Sequence, residues 1–71
     1  MTVTTEHRDA IFIVRIDRPE ARNAVDRPTA EALAAAFREF EADDASRVAI
    51  LTGTGGHFCA GADLKAVASG E

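Results

Sequence analysis

Two short apolar runs flank a stretch of helical periodicity, and no other feature limits this chain as much. "AIFIVRID" (10–17) alternates, with Phe12, Val14 and Ile16 on one face and Ile11 and Ile13 on the other. "RVAILTG" (47–53) is almost continuously apolar. Runs of this kind read as strands covered on both faces. Between them, Asp26 is placed to cap a helix and Pro28 is tolerated in its first turn. Ala30, Leu33, Phe37 and Phe40 recur at spacings of three and four, giving that helix one apolar face. Arg38, Glu39, Glu41 and Asp43 lie elsewhere on its surface, and "DDAS" ends it. A strand–helix–strand order calls for a right-handed crossover and a parallel pair. "VTTEH" supplies an earlier strand, with "HRDA" as a hairpin turn, and "ADLKAVA" (62–68) opens a second helix. The fold class is α/β, in the order β-β-α-β-loop-α.

Size sets the next limit. A chain of 71 residues buries only about 60% of the surface that its unfolded form exposes. Small scaffolds of this length rely on disulfides or metals. Cys59 is the single cysteine, and His7 and His57 are the only histidines. That leaves no internal disulfide and no cluster with metal-ligand spacing. The second helix stops after about two turns, at "SGE", shorter than the mean of about 11–12 residues. Residues 1–71 are therefore read as the N-terminal portion of one larger domain. A net charge of −4 without a basic run argues against nucleic acid and anionic membranes. No apolar run reaches the ~20 residues that span a bilayer. One unpaired cysteine behind an N-terminus without a leader pattern fits a cytoplasmic protein.

The chemistry is concentrated where the last strand gives way to the second helix. In "HFCAGADL" (57–64) four small residues, Cys59-Ala60-Gly61-Ala62, lie between an aromatic residue and an acid. Gly61 permits a tight turn or a positive φ. The side chain of Ala62 is too small to block its own N–H, and Asp63 suits a helix start. Helix-initial N–H groups lack internal partners and bind anions. "AGAD" can thus offer a backbone N–H to an oxygen that gains charge during a reaction, as an oxyanion-hole donor does. The plain structural alternative is a turn glycine flanked by alanines that permit close packing.

"GTGGHFCAGADL" (53–64) resembles the signature of the enoyl-CoA hydratase/isomerase family, the crotonase superfamily, and "RPEARNAV" (18–25) resembles its first signature. The separation of the two is family-like, and the likeness runs from about Ile11 to Val67. Val25 is a small hydrophobic departure, since Leu or Met is more usual there. The resemblance implies the N-terminal ββαβ-α part of a crotonase-like (ClpP/crotonase) spiral fold, and a parent enzyme that hydrates or isomerises enoyl-CoA thioesters through a stabilised enolate. It implies that the Ala62 N–H is one oxyanion donor. Ala60, Gly61, Asp63 and Leu64 would hold the pantetheine and adenine end of coenzyme A, and Arg22 and Ala24 would form another contact stretch. Lys65 either approaches a phosphate or faces water. Coenzyme A enters as part of the substrate, and no separate cofactor or metal is implied. The parent would be a homo-oligomer, a trimer or hexamer. The second donor, a glycine N–H, and the two glutamates of the hydratase acid/base pair fall beyond residue 71, so the 71 residues alone are expected to be inactive.

Other readings are weaker. A phosphate- or nucleotide-binding βαβ module would use the glycines at 53–56, but His57-Phe58 stands where a basic residue is needed. A structural piece without activity, retained in an oligomer, is a further alternative. Cys59 reads as a small buried core residue, and His57 as a surface histidine.

Overall fold

The computed structural model describes residues 2–70. Strand β1 (Val3–Arg8) and strand β2 (Ile11–Ile16) lead into a 3-10 turn at Pro19–Ala21. Helix α1 (Arg27–Ala42), strand β3 (Val48–Gly53) and helix α2 (Leu64–Ala68) follow. Strands β1 and β2 pair antiparallel from Val3↔Ile16 to Arg8↔Ile11. That register leaves a two-residue turn, in which Asp9 takes a positive φ of 52°, a conformation aspartate tolerates. Strands β2 and β3 pair parallel from Ile11↔Val48 to Ile16↔Gly53. A parallel pair needs a long connection, and α1 provides it. The sheet order is β1-β2-β3, with β2 in the middle.

The helix caps are the ones the sequence indicates. The Asp26 carboxylate accepts from the Thr29 N–H at 3.0 Å, and Pro28 sits in the first turn. At the far end the Asp43 N–H donates to the Phe40 carbonyl. The Asp43 carboxylate accepts from Ser46 Oγ at 2.7 Å and lies 3.3 Å from His7 Nε2. Helix α1 covers one face of the sheet. Val3, Phe12, Val14 and Ala36 form the core, with Leu33, Phe37, Phe40 and Ala49 half-buried against it. The Phe12 and Phe40 rings lie 5.8 Å apart. Arg38, Glu39 and Glu41 are exposed, so the helix phase is as expected. Ala30 departs from it. It is exposed because the first turn of α1 faces an open depression shared with Val25, Ala62, Ala66 and Val67, not the sheet.

Strand β3 also departs from expectation. It reads as a strand covered on both faces, yet Val48 is 52% exposed and Ile50 47%. The pairing puts these two beside Ile11 and Ile13, on the face opposite α1. Leu51, beside Val14 on the α1 face, is 39% exposed as well, because α1 packs mainly on β1 and β2 and leaves much of β3 uncovered.

Candidate active site

Two loops are joined beside the C-terminal ends of β2 and β3. The first, 17–26, contains consecutive left-handed residues, Arg22 (φ 53°) and Asn23 (φ 59°). Asparagine tolerates this conformation, but at Arg22 it costs about 1–3 kcal/mol and persists only where the surroundings over-determine it. Here Asn23 does so. It is fully buried. Its Oδ1 accepts from the Arg18 N–H at 2.7 Å. Its Nδ2 donates to the carbonyls of Thr54 at 2.8 Å and His57 at 2.6 Å. One side chain thus ties the first loop to the second. Gly53 makes the approach possible: a Cβ there would lie 2.3 Å from the Phe58 carbonyl oxygen, 2.5 Å from that of His57 and 2.7 Å from Asn23 Nδ2.

A one-residue parallel bridge joins Val25 to Ala62. The Val25 N–H donates to the Gly61 carbonyl at 2.8 Å, and the Asp63 N–H donates to the Val25 carbonyl at 2.9 Å. In a parallel bridge these bonds come from the neighbours of the facing residue, so the Ala62 N–H and carbonyl point away from Val25. Among the described residues the Ala62 N–H has no hydrogen-bond partner. Gly61, at φ 94°, gives the turn into this short extended segment.

The physical origin of the free N–H differs from the one expected. Helix α2 begins at Leu64, two residues later than the sequence suggests, and the N–H groups of its second and third residues are taken up by the cap. Asp63 Oδ1 accepts from the N–H groups of Lys65 at 2.9 Å and Ala66 at 3.2 Å. The N–H of Ala62 is an extended-strand donor left over by the bridge, not a helix-initial one. The cap, and then Arg18, hold the Asp63 carboxyl below its ordinary pKa of 3.8.

Arg18 links the two segments. Its Nη1 donates to the Ala24 carbonyl at 2.8 Å and to Asp63 Oδ2 at 3.1 Å. Its Nη2 lies 3.6 Å from Asp26 Oδ2, and its Nε lies 4.0 Å from Glu20.

These segments wall an open groove of about 560 Å³. Of the residues that the sequence singles out, Arg22, Ala24, Ala60, Ala62, Asp63, Leu64 and Lys65 all border it, and Gly61 lies between two of them. Arg18, Glu20 and Ala21 border it as well and were not anticipated. The position of Arg18 before Pro19 in the first signature was the available signal. The Asp63 carboxylate is committed to the cap and to Arg18. Among the described residues the side chains of Arg22 and Lys65 form no ion pair, so they are the cations left for a ligand at this rim. Leu64 is 79% exposed. Cys59 is half-buried, not the core residue expected, because Phe58 beside it is turned outward at 56% exposure. Its Sγ accepts from the Gly61 N–H at 3.3 Å. His57 is exposed, as expected. Among the described residues no three His, Cys, Asp or Glu side chains could hold a metal ion, and no helix is long and apolar enough to cross a membrane.

Comparison with known proteins places the chain in a family. Residues 6–71 match the family model described as enoyl-CoA hydratase/isomerase. The chain is 47% identical over 55 residues to a mevalonyl-coenzyme A hydratase of Beauveria bassiana, an overlap covering 78% of this chain and 20% of that protein. It is 46% identical over 65 residues to a carnitinyl-CoA dehydratase of Proteus mirabilis, covering 90% of this chain and 24% of the other. The crystal structure of an enoyl-CoA hydratase from Mycobacterium tuberculosis H37Rv superposes with a TM-score of 0.94 at 51% identity, over 99% of this chain and 28% of that one. The chain belongs to the enoyl-CoA hydratase/isomerase family and has the crotonase fold over its length. It spans about a fifth to a quarter of the length of the curated relatives it matches.

Proposed function

We propose that this chain forms the oxyanion-side wall of an acyl-CoA site, in a parent enzyme that hydrates, dehydrates or isomerises enoyl-CoA thioesters. The observation that carries the reading is the Val25–Ala62 bridge. It joins the two signatures and leaves the Ala62 N–H unpartnered at the border of a groove. Ala62 is exposed, so its N–H is open to a ligand oxygen entering the groove, where a bound thioester carbonyl would take the place of water. In the proposed reaction a proton leaves or joins the α-carbon of the thioester, and charge gathers on the carbonyl oxygen as the enolate forms. One backbone donor aimed at that oxygen contributes about 2.7–4 kcal/mol to the transition state. Arg22 and Lys65 suit the phosphates of coenzyme A, and Leu64 offers apolar contact to the pantetheine. The second donor and the acid and base are carried by the remaining length of the family fold. A cytoplasmic location and assembly into trimers or hexamers are part of the same reading. The outward apolar residues Val48, Ile50 and Val67 support burial against further protein. A phosphate-cradle reading of the 53–56 loop gains nothing, because the Thr54 N–H is already spent on the Ile16 carbonyl and no basic residue follows the glycines.

The test uses a protein of the relatives' full length that carries this sequence, assayed with a crotonyl-CoA-type substrate. Ala62→Gly keeps the N–H and should be mild. Ala62→Pro removes it and should lower kcat by about 10²–10³-fold. Ala62→Val should also impair turnover by crowding the thioester. A folded Ala62→Pro protein with parental kcat would overturn the reading.

A further inference from the structure

We infer that Arg18 is a positioning residue for the reaction, and that it holds the Ala62 N–H in place without touching the thioester. The inference rests on the acyl-CoA reading above and adds a residue to it. The bridge that orients Ala62 consists of two backbone hydrogen bonds, 2.8 and 2.9 Å long. So short a ladder has little stability of its own. Arg18 spans it from outside. One nitrogen, Nη1, donates to the carbonyl of Ala24, the residue before Val25, and to the carboxylate of Asp63, the residue after Ala62. The guanidinium therefore fastens both strands of the bridge, one residue to either side of its two centres. Its side chain is only 15% exposed and that of Asp63 16%, so solvent weakens the pair little.

The backbone of Arg18 is anchored too. Its N–H donates to the buried Asn23, and its carbonyl accepts from the Asn23 N–H at 2.8 Å. With Ala24, Asp63 and Asp26 around it, the guanidinium has little capacity left for a substrate phosphate. That separates it from Arg22 and Lys65 on the same groove. A residue that only binds substrate changes KM. One that only aims an oxyanion donor changes kcat, because the interaction strengthens as charge develops.

The experiment uses the same full-length protein, with Arg18→Gln, Arg18→Lys, Asp63→Asn and the Gln/Asn double variant. Asparagine still caps a helix, so Asp63→Asn removes the charge and keeps the cap. The expected result for Arg18→Gln is a fall in kcat of about 10–100-fold, the scale of a misplaced catalytic group, with KM for the acyl-CoA within about threefold. Arg18→Lys should recover part of that loss, since an ammonium keeps a charged donor for Ala24 and Asp63 but loses the contacts that Nη2 and Nε make with Asp26 and Glu20. The double variant should be no worse than the poorer single one, as coupled residues are not additive. Amide hydrogen exchange supplies a readout independent of turnover. The Val25 and Asp63 N–H groups should lose protection in Arg18→Gln while those of β2 keep theirs. If the parent protein turns over no acyl-CoA, the functional reading fails, and the exchange measurement alone decides the role of Arg18. Parental kcat, a raised KM at parental kcat, or unchanged exchange at Val25 and Asp63 would each overturn the inference. So would global unfolding of all the single variants, which would make Arg18 a general structural residue.

Discussion

At the scale of single residues, the site is built from close approach more than from reactive side chains. Asn23 is the clearest case. A fully buried amide whose oxygen and nitrogen both have partners joins Arg18, Thr54 and His57. The absence of a Cβ at position 53 lets it do so. Gly53→Ala is therefore expected to be far more damaging than the roughly 1 kcal/mol scale of backbone propensity. Its methyl would meet two backbone carbonyls and an amide, none of which can move without breaking the loop. Thermal denaturation of the full-length protein checks this, and a loss within 1 kcal/mol would mean that the loops separate freely. The sequence pointed to Asn23 and Gly53 only as parts of signatures. Their mutual contact, 30 positions apart, could not be read from local pattern.

At the scale of elements, caps and periodicity were the legible part. Asp26 and Asp43 bound α1, and the burial of Leu33, Phe37 and Phe40 over Arg38, Glu39 and Glu41 follows a period of 3.6. Helix α2 was legible in existence but not in its start, because Asp63 serves both as cap and as part of the bridge to Val25. Its carboxyl has a depressed pKa, from the Ala66 N–H first and the Arg18 guanidinium next. A depressed folded-state pKa gives stability that is present above the unfolded value and lost as pH falls through the folded one. The α2 cap should thus be intact at neutral pH and loosen only as pH drops below the ordinary value of 3.8. Amide chemical shifts of Lys65 and Ala66 followed through an acid titration check this. A midpoint above that value would contradict the cap.

At the scale of the whole molecule, the 71 residues are thin. The principal extents are 40 × 24 × 17 Å and the radius of gyration is 12.8 Å, against about 11 Å for a compact chain of this length. The accessible surface is 4745 Å², where a finished monomer of this mass has about 4,250 Å². The excess includes Val48, Ile50, Phe58, Leu64 and Val67. Apolar surface gathered in this way associates or aggregates. The 71-residue chain by itself is expected to self-associate at micromolar concentration, or to lack a cooperative transition. Sedimentation and calorimetry check this. A monomer with a calorimetric enthalpy near 0.7 kcal/mol per residue around 60 °C would contradict it.

The sequence by itself determined the element order, the parallel crossover, the phase of α1 and the membership signalled by two signatures. Each of these depends on periods and caps that act within a few residues. Tertiary structure alone decided that β3 is left largely uncovered, that Ala62 is a strand residue instead of a helix-initial one, and that Arg18 lies between Ala24 and Asp63. These depend on contacts between positions up to 45 residues apart. No local propensity encodes them, because the free energy that selects them is released only when the two loops meet.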